Sequence, residues 1–391
     1  MEKVKLGDVS KLINGDRGKN YPSQADITEE GEIPFVNAGH LNGREIDFSE
    51  MNYISQDKYD NLRSGKFQEG DILYCLRGSL GKKAIVSNDV NGAIASSLVI
   101  IRPDKEKVDG EYLMFALDSP AIKEQLVKAN NGSSQPNLSA SSVREYQVEL
   151  PNISVQKEVV EKLIKVRNII DCRRKELQLL DSLIKARFVE MFGDVIHNSK
   201  KWQVCLFAEI TSSRLGKMLD AKQQTGRNSY PYLANFNVQW FRFNLENLNK
   251  MDFDEKDRAE FELREGDLLV CEGGEIGRCA VWHNELQPCF FQKALHRVRC
   301  NHQIILPDYL AWWFRYNCDY GGFSALAGAK ATIAHLPGAK LKQLQVAVPP
   351  MELQEQFAVF VAQTDKSKVA VQKALDEAQL LFDSLMQEYF G

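Results

Sequence analysis

SVQKEVVEKLIKVRNIIDCRRKELQLLDSLIKARFVEMF, residues 154–192, is the stretch whose reading decides the fold. It starts just after Leu150-Pro151, where a helix can begin, and no proline or glycine interrupts it. Val159, Leu163, Val166, Ile170, Leu177, Leu180, Ile184 and Met191 recur on alternating steps of three and four, skipping only Arg173/Arg174 and Arg187. That is a heptad seam. At about 1.5 Å per residue such a helix is roughly 58 Å long, far beyond an ordinary globular helix.

A second copy follows Val348-Pro349-Pro350 and runs from Glu352 to Phe390. An offset of 198 turns the first seam into Phe357, Val361, Thr364, Lys368, Leu375, Ala378, Phe382 and Tyr389, with Val371 and Leu385 in the two skipped places. Gln156 maps to Gln354, and Phe192-Gly193 to Phe390-Gly391. The seam weakens at Thr364 and Lys368. Residues 151–193 carry nine Lys/Arg against six Asp/Glu, and residues 351–391 three against seven, giving +3 and −4. Opposite charge and matching seams predict that the two helices pair with each other.

The blocks preceding the helices repeat as well. Residues 1–152 read as mixed α/β, with strands at Ile33-Pro34-Phe35-Val36-Asn37-Ala38, Ile72-Leu73-Tyr74-Cys75-Leu76 and Leu98-Val99-Ile100-Ile101. A helix is expected over 111–129, beginning near Asp109-Gly110 and punctuated by Ser119-Pro120, followed by a polar loop over 130–137. Residues 194–350 repeat the plan. Pro34 matches Pro231, Glu69-Gly70-Asp71 matches Glu265-Gly266-Asp267, Tyr112-Leu113 matches Tyr309-Leu310, and Pro151 matches Pro349, all at offsets of 196–198. Anchors spread over the whole half at nearly one offset mark a tandem duplication. The expected organisation is a globular block at 1–152, a helical spacer at 153–193, a second block at 194–350 and a second spacer at 351–391.

The copies differ where loops are expected. Arg77-Gly78-Ser79-Leu80-Gly81-Lys82-Lys83 becomes Glu272-Gly273-Gly274-Glu275-Ile276-Gly277-Arg278, and residues 132–137 become residues 328–333. One scaffold kept twice with unlike loops suggests two modules reading two different targets.

Chemistry is easier to exclude than to find. A phosphate loop needs four residues between its glycines and a hydroxyl after the lysine; the 78–83 loop is two residues short and ends Lys82-Lys83. No Glu-x-Lys occurs for a metal-dependent nuclease, and Asp220-Ala221-Lys222 and Asp254-Glu255-Lys256 lack supporting context. Pro349-Pro350 sits at a helix entry rather than in an adenine-gripping Asn-Pro-Pro-Tyr. No Gly-x-Gly-x-x-Gly follows a strand. His283 and His296 lie among apolar and aromatic residues and read as core or loop positions. Eight cysteines without a Cys-x-x-Cys spacing read as reduced thiols of a cytoplasmic protein, without a zinc site. No run approaches the ~20 apolar residues of a membrane span.

Two ~150-residue blocks, each followed by a ~40-residue heptad helix, resemble the specificity (S) subunit of type I restriction–modification systems. The resemblance rests on Glu69-Gly70-Asp71-Ile72-Leu73 and its copy Glu265-Gly266-Asp267-Leu268-Leu269. It also rests on the helix entries Leu150-Pro151…Val155-Gln156 and Val348-Pro349-Pro350…Leu353-Gln354, and on the exits Met191-Phe192-Gly193-Asp194 and Tyr389-Phe390-Gly391. It implies an α/β (α+β) fold with two tandem target-recognition domains separated by a long antiparallel two-helix coiled coil, an internal pseudo-twofold duplication. It implies a non-catalytic chain that reads a bipartite site on double-stranded DNA and docks two methyltransferase (M) subunits and a restriction/translocase (R) subunit. S-adenosylmethionine and ATP/Mg would belong to those partners, with no cofactor in this chain. The recognition domains would resemble the small DNA-reading domain of adenine-N6 methyltransferases.

Base edges are read by Arg, Lys, Asn and Gln, and phosphates are gripped by basic and small polar side chains. The expected DNA-binding residues are therefore Arg77, Lys82, Lys83, Asn131, Ser133, Ser134, Gln135 and Asn137 in the first copy. In the second they are Arg278, Gln292, Lys293, Lys330 and Thr332. The competing reading is a two-module scaffold that recruits partners through its coiled coil without binding DNA.

Overall fold

The computed structural model describes residues 2–87, 90–130, 136–220, 224–324 and 335–391. The chain forms two compact units: residues 1–175 with 372–391, and residues 176–371. Each long helix, Ile153–Phe192 and Met351–Phe390, therefore gives one part of its length to each unit.

In the first unit the main sheet is antiparallel. Its strand order is Ser10–Asn14, Leu98–Pro103, Ile72–Cys75 and Lys83–Ile85. A second sheet holds Tyr53–Ile54, Ile33–Val36, Gly92–Ile94 and Lys66–Phe67, with Ile33–Val36 and Gly92–Ile94 running parallel. A ribbon pairs Glu2–Lys5 with Gln147–Leu150. The expected helix is broken at Ser119-Pro120 into Gly110–Ala116, capped by Asp109, and Pro120–Ala129, capped by Ser119. Proline is tolerated only in the first helical turn, so the second helix starts there.

The second unit repeats this order strand for strand in its main sheet: Thr211–Leu215, Leu295–Cys300, Leu268–Cys271 and Cys279–Val281. Its smaller sheet pairs Ser229–Leu233 with Lys250–Asp252 and, in parallel, with Phe290–Phe291. Gln203–Leu206 and Gln345–Val348 form its ribbon.

The Glu-Gly-Asp signature is a folding device. Gly70 and Gly266 both adopt φ +83°, a left-handed turn that disfavours a side chain. Asp71 is 1% exposed; its carboxylate accepts from the Gln68 N–H at 2.9 Å and from Arg102 Nε at 2.7 Å. Asp267, also 1% exposed, accepts from the Arg264 N–H at 2.9 Å and from Arg299 Nε at 2.6 Å. A buried carboxylate is tolerated because it is paired and hydrogen-bonded.

Both long helices are built into the domain cores, and within each unit they run antiparallel. In the first unit Val159, Leu163, Met386 and Phe390 share a core with Tyr112 and Phe115, and the Phe390 and Tyr112 rings lie 5.0 Å apart. Lys162 Nζ donates to Tyr389 Oη, and Arg174 to Gln379, so one helix ascends as the other descends. In the second unit Phe188 and Phe192 pack on Phe357 and Tyr309, at 5.5 Å and 4.8 Å respectively. The weak place in the seam is polar by design of its partners. Thr364 is buried and donates to the Phe360 carbonyl, while Lys368 crosses to Asp181 at 2.7 Å.

Fully buried glutamines fix the helix entries. Gln156 Nε2 donates to the Lys107 and Pro151 carbonyls, and its Oε1 accepts from the Asp109 N–H. Gln354 repeats this with the Ile304 and Pro349 carbonyls and the Leu306 N–H.

Candidate nucleic-acid interface

Two segments singled out from the sequence meet in the first unit. Arg77 and Asn137 face each other across an isolated antiparallel bridge, with the Leu138 N–H on the Leu76 carbonyl at 2.8 Å. The second unit forms the same bridge between Gly273 and His335, with the Leu336 N–H on the Glu272 carbonyl at 2.7 Å. The strand-connecting loop has one backbone in both: Gly78 and Gly81 adopt φ +77°, and Gly274 and Gly277 adopt φ +79° and +77°. Only side chains differ. Matching these glycines shifts the register by one residue from the two segments compared above, so Arg77, Ser79, Leu80, Lys82 and Lys83 correspond to Gly273, Glu275, Ile276, Arg278 and Cys279.

These side chains have three different fates. Arg77 is exposed and lines a cleft with Arg17, Tyr21 and Ser96. Lys82 is half-buried, and its Nζ donates to the Ala38 carbonyl at 3.0 Å. Arg278 does the equivalent in the second unit, donating to the Asn235 carbonyl at 2.9 Å. Both cations tie the loop to the short helical turn that precedes a hairpin (Leu41–Asn42 with Glu45–Ile46; Val238–Gln239 with Arg242–Phe243). Lys83 points inward from its strand, is 5% exposed and is ion-paired with Asp118. The expectation that Lys83 faces DNA therefore does not suit its placement: alternation along the strand turns it into the core. Burial also pushes its ammonium below the usual lysine range.

Of the remaining expected residues, Asn137 is exposed beside Arg77, Lys293 is exposed, and Gln292 is half-buried in a bridge to Lys217. Asn131, Ser133, Ser134, Gln135, Lys330 and Thr332 lie outside the described residues.

Arg17 was not among the sequence candidates, although it shares the Arg77 cleft. The turn carrying it is pinned by Asp16, 7% exposed, whose carboxylate accepts from the Gly18 N–H at 2.8 Å and the Arg63 N–H at 2.9 Å. Those bonds hold the Asp16 carboxyl below its ordinary range, the Gly18 N–H contributing most. The Ser96 N–H donates to Tyr21 Oη at 3.3 Å, closing the opposite wall. The Gly15-Asp16-Arg17-Gly18 turn was the signal available in the sequence.

No group of three or more His, Cys, Asp or Glu among the described residues could hold a metal ion. His296 is 1% exposed and bonded to the Leu336 carbonyl at 3.0 Å, a core histidine. No helix among the described residues is long and apolar enough to cross a membrane.

One bridge-and-loop arrangement, formed twice with unlike side chains on a duplicated scaffold, sets the frame for comparison. Residues 1–181 and 199–378 each match the family described as the Type I restriction modification DNA specificity domain. The chain belongs to this family. The EcoKI specificity subunit of Escherichia coli (strain K12) is 18% identical over 406 residues, covering 98% of this chain and 86% of that one. The EcoBI specificity subunit of Escherichia coli is 25% identical over 171 residues, covering 43% of this chain and 36% of that subunit. The MjaVIII specificity subunit of Methanocaldococcus jannaschii is 27% identical over 195 residues, 47% of this chain and 43% of that subunit. The chain thus aligns with less than half the length of the EcoBI and MjaVIII subunits. The S subunit structure from M. genitalium has a TM-score of 0.61 at 14% identity, over 100% of this chain and 96% of that one. A second structure, from work on assembly and conformational transition of the type I R-M system, has a TM-score of 0.61 at 17% identity over 100% and 97%. At these identities the likeness establishes the fold: tandem α/β domains with long helices, as the duplication in the sequence implied.

Proposed function

We propose that this chain is the DNA-reading, non-catalytic subunit of a type I restriction–modification complex, each unit reading one half of a bipartite site on double-stranded DNA. The observation that carries this reading is the paired bridge, Arg77 to Asn137 and Gly273 to His335, presenting unlike side chains from one backbone. Arg77, Arg17 and Asn137 supply donors suited to guanine and phosphate in the first unit. In the second unit the exposed Lys293 and His335 supply the polar groups. Residues 1–150 carry 18 Lys/Arg against 23 Asp/Glu, and residues 194–350 carry 19 against 17. So few net cations neutralise few phosphates, and the methyltransferase partners supply most of the backbone grip. Methyl transfer and DNA cleavage belong to the M and R subunits, which also hold S-adenosylmethionine and ATP/Mg.

The test exchanges residues 1–150 for the matching block of another family member and maps methylated adenines in cells carrying the partner subunits. One half-site changes and the other stays. Simultaneous change of both half-sites overturns the division of labour, and absence of any methylation pattern tied to this chain favours the non-DNA scaffold.

A further inference from the structure

The two units differ at one position where the first carries an internal arginine and the second carries an open slot. In the first unit, Arg44 of the hairpin turn is ion-paired with Glu111 and lies with its guanidinium carbon 4.5 Å from the Phe115 ring centre. Arg167 of the long helix approaches the same ring at 4.9 Å. The offset that aligns Tyr112 with Tyr309 aligns Glu111 with Asp308, Phe115 with Trp312 and Arg44 with Phe241. The helix offset aligns Arg167 with Asp365. The acid and the aromatic ring are thus kept, and both cations are gone.

What stands in their place is a cavity lined by Phe241, His283, Asp308, Trp312, Asp365 and Lys368. Phe241 stacks on Trp312 at 4.3 Å and 17°, where Arg44 lies in the first unit. Lys368 is already held by Asp181 at 2.7 Å and Asp365 at 3.1 Å. Asp308 makes no salt bridge among the described residues, although burial raises its carboxyl above the ordinary range. A desolvated carboxylate beside indole and phenyl rings is the environment in which a guanidinium is bound by charge, planar hydrogen bonding and cation–π attraction together. Lys368 occupies Asp365, which leaves Asp308 as the carboxylate facing the slot, and its charge favours a cationic side chain over a phosphate group. The long helices that form one wall also expose Leu179, Leu183, Val359 and Val369, apolar surface of the kind a protein partner covers.

We propose that this slot receives an arginine side chain of the methyltransferase partner, supplied in trans where the first unit supplies Arg44 in cis. The partner's identity rests on the function proposed above; the guanidinium chemistry does not. The first arm titrates the full chain, labelled with 5-fluorotryptophan, with N-acetylarginine methylamide and with its neutral citrulline analogue through the millimolar range. The Trp312 fluorine resonance shifts with the arginine probe alone, and Asp308→Asn and Phe241→Arg each suppress the shift while the melting temperature stays close to wild type. No shift, or an equal shift with citrulline, overturns the slot. The second arm measures association with the co-expressed methyltransferase subunit. Asp308→Asn and Phe241→Arg weaken it about tenfold or more, as loss of a buried arginine anchor does, and Glu111→Gln in the first unit leaves it unchanged. Equal association of wild type and Asp308→Asn overturns the assignment of the partner. A wild-type chain that holds no methyltransferase at all overturns both that assignment and the functional reading, while the fluorine arm still reports on the slot.

Discussion

The Asp109 N–H donates to Oε1 of Gln156 at 2.8 Å, and through this contact the first long helix is stitched to the N-cap of a domain helix. Gln156 is 0% exposed and makes two further bonds, to the Lys107 and Pro151 carbonyls. Gln156→Leu keeps the volume but strands one buried donor and two acceptors. The expected cost is about 3 kcal/mol, since each unsatisfied buried group costs roughly 1–3. Urea unfolding checks it, and Gln354→Leu in the second unit shows a matching loss.

Breaking the turn-anchoring ion pair is predicted to cost more than removing it whole. Arg102→Met leaves the Asp71 carboxylate, 1% exposed, without its cation. The expected loss is about 3 kcal/mol, at the lower end of the range for a buried pair because Arg102 is partly solvated. The double variant Asp71→Asn with Arg102→Met recovers part of it. A double-mutant cycle in urea measures the coupling, and a double variant less stable than Arg102→Met alone contradicts the prediction.

Neighbouring cations in one loop are predicted to separate by role. Arg77→Ala removes an exposed side chain and weakens binding of the assembled complex to its DNA, with melting unchanged. Lys82→Met instead removes the donor to the Ala38 carbonyl and lowers stability by about 1 kcal/mol, a typical net hydrogen-bond contribution. Melting curves and salt-dependent DNA titrations distinguish them.

Asp16 is predicted to show itself on the acid limb. Its folded carboxyl lies below the unfolded value near 3.9, chiefly through the Gly18 N–H and then the Arg63 N–H. Its contribution is therefore complete above that unfolded value and is lost as pH falls through the lower folded one. The stability gap between wild type and Asp16→Asn stays constant from neutral pH to about pH 5 and narrows below about pH 4. A gap that stays constant down to pH 2 is inconsistent with this assignment.

Local periodicity made the helices and the duplication legible. Heptad spacing from Val159 onward and the recurrence of Gln156 as Gln354 need no tertiary information, and the glycine and proline anchors align the halves directly. Long-range partners were less accessible. Glu69-Gly70-Asp71 could be read as a turn, but Arg102, 31 residues beyond Asp71, carries no local mark of its pairing. Lys82 and Lys83 look alike in a basic loop; only the start of the strand at Lys83 separates a surface tie from a buried ion pair. Arg17 reaches the Arg77 cleft from 60 residues away, a proximity set by sheet topology rather than by spacing.

The division of each long helix between two units has a consequence for biosynthesis. The first unit includes residues 372–391, whereas the second is a continuous segment, 176–371. Tyr112 and Phe115 share a core with Met386 and Phe390, which are made only after the whole second unit. Emerging at about 5–20 residues per second, the nascent chain can finish its second unit while the first still shows water an uncovered aromatic face. The unit begun first is completed after the other, and its exposure to chaperones and proteases lasts until residues 372–391 have left the ribosome.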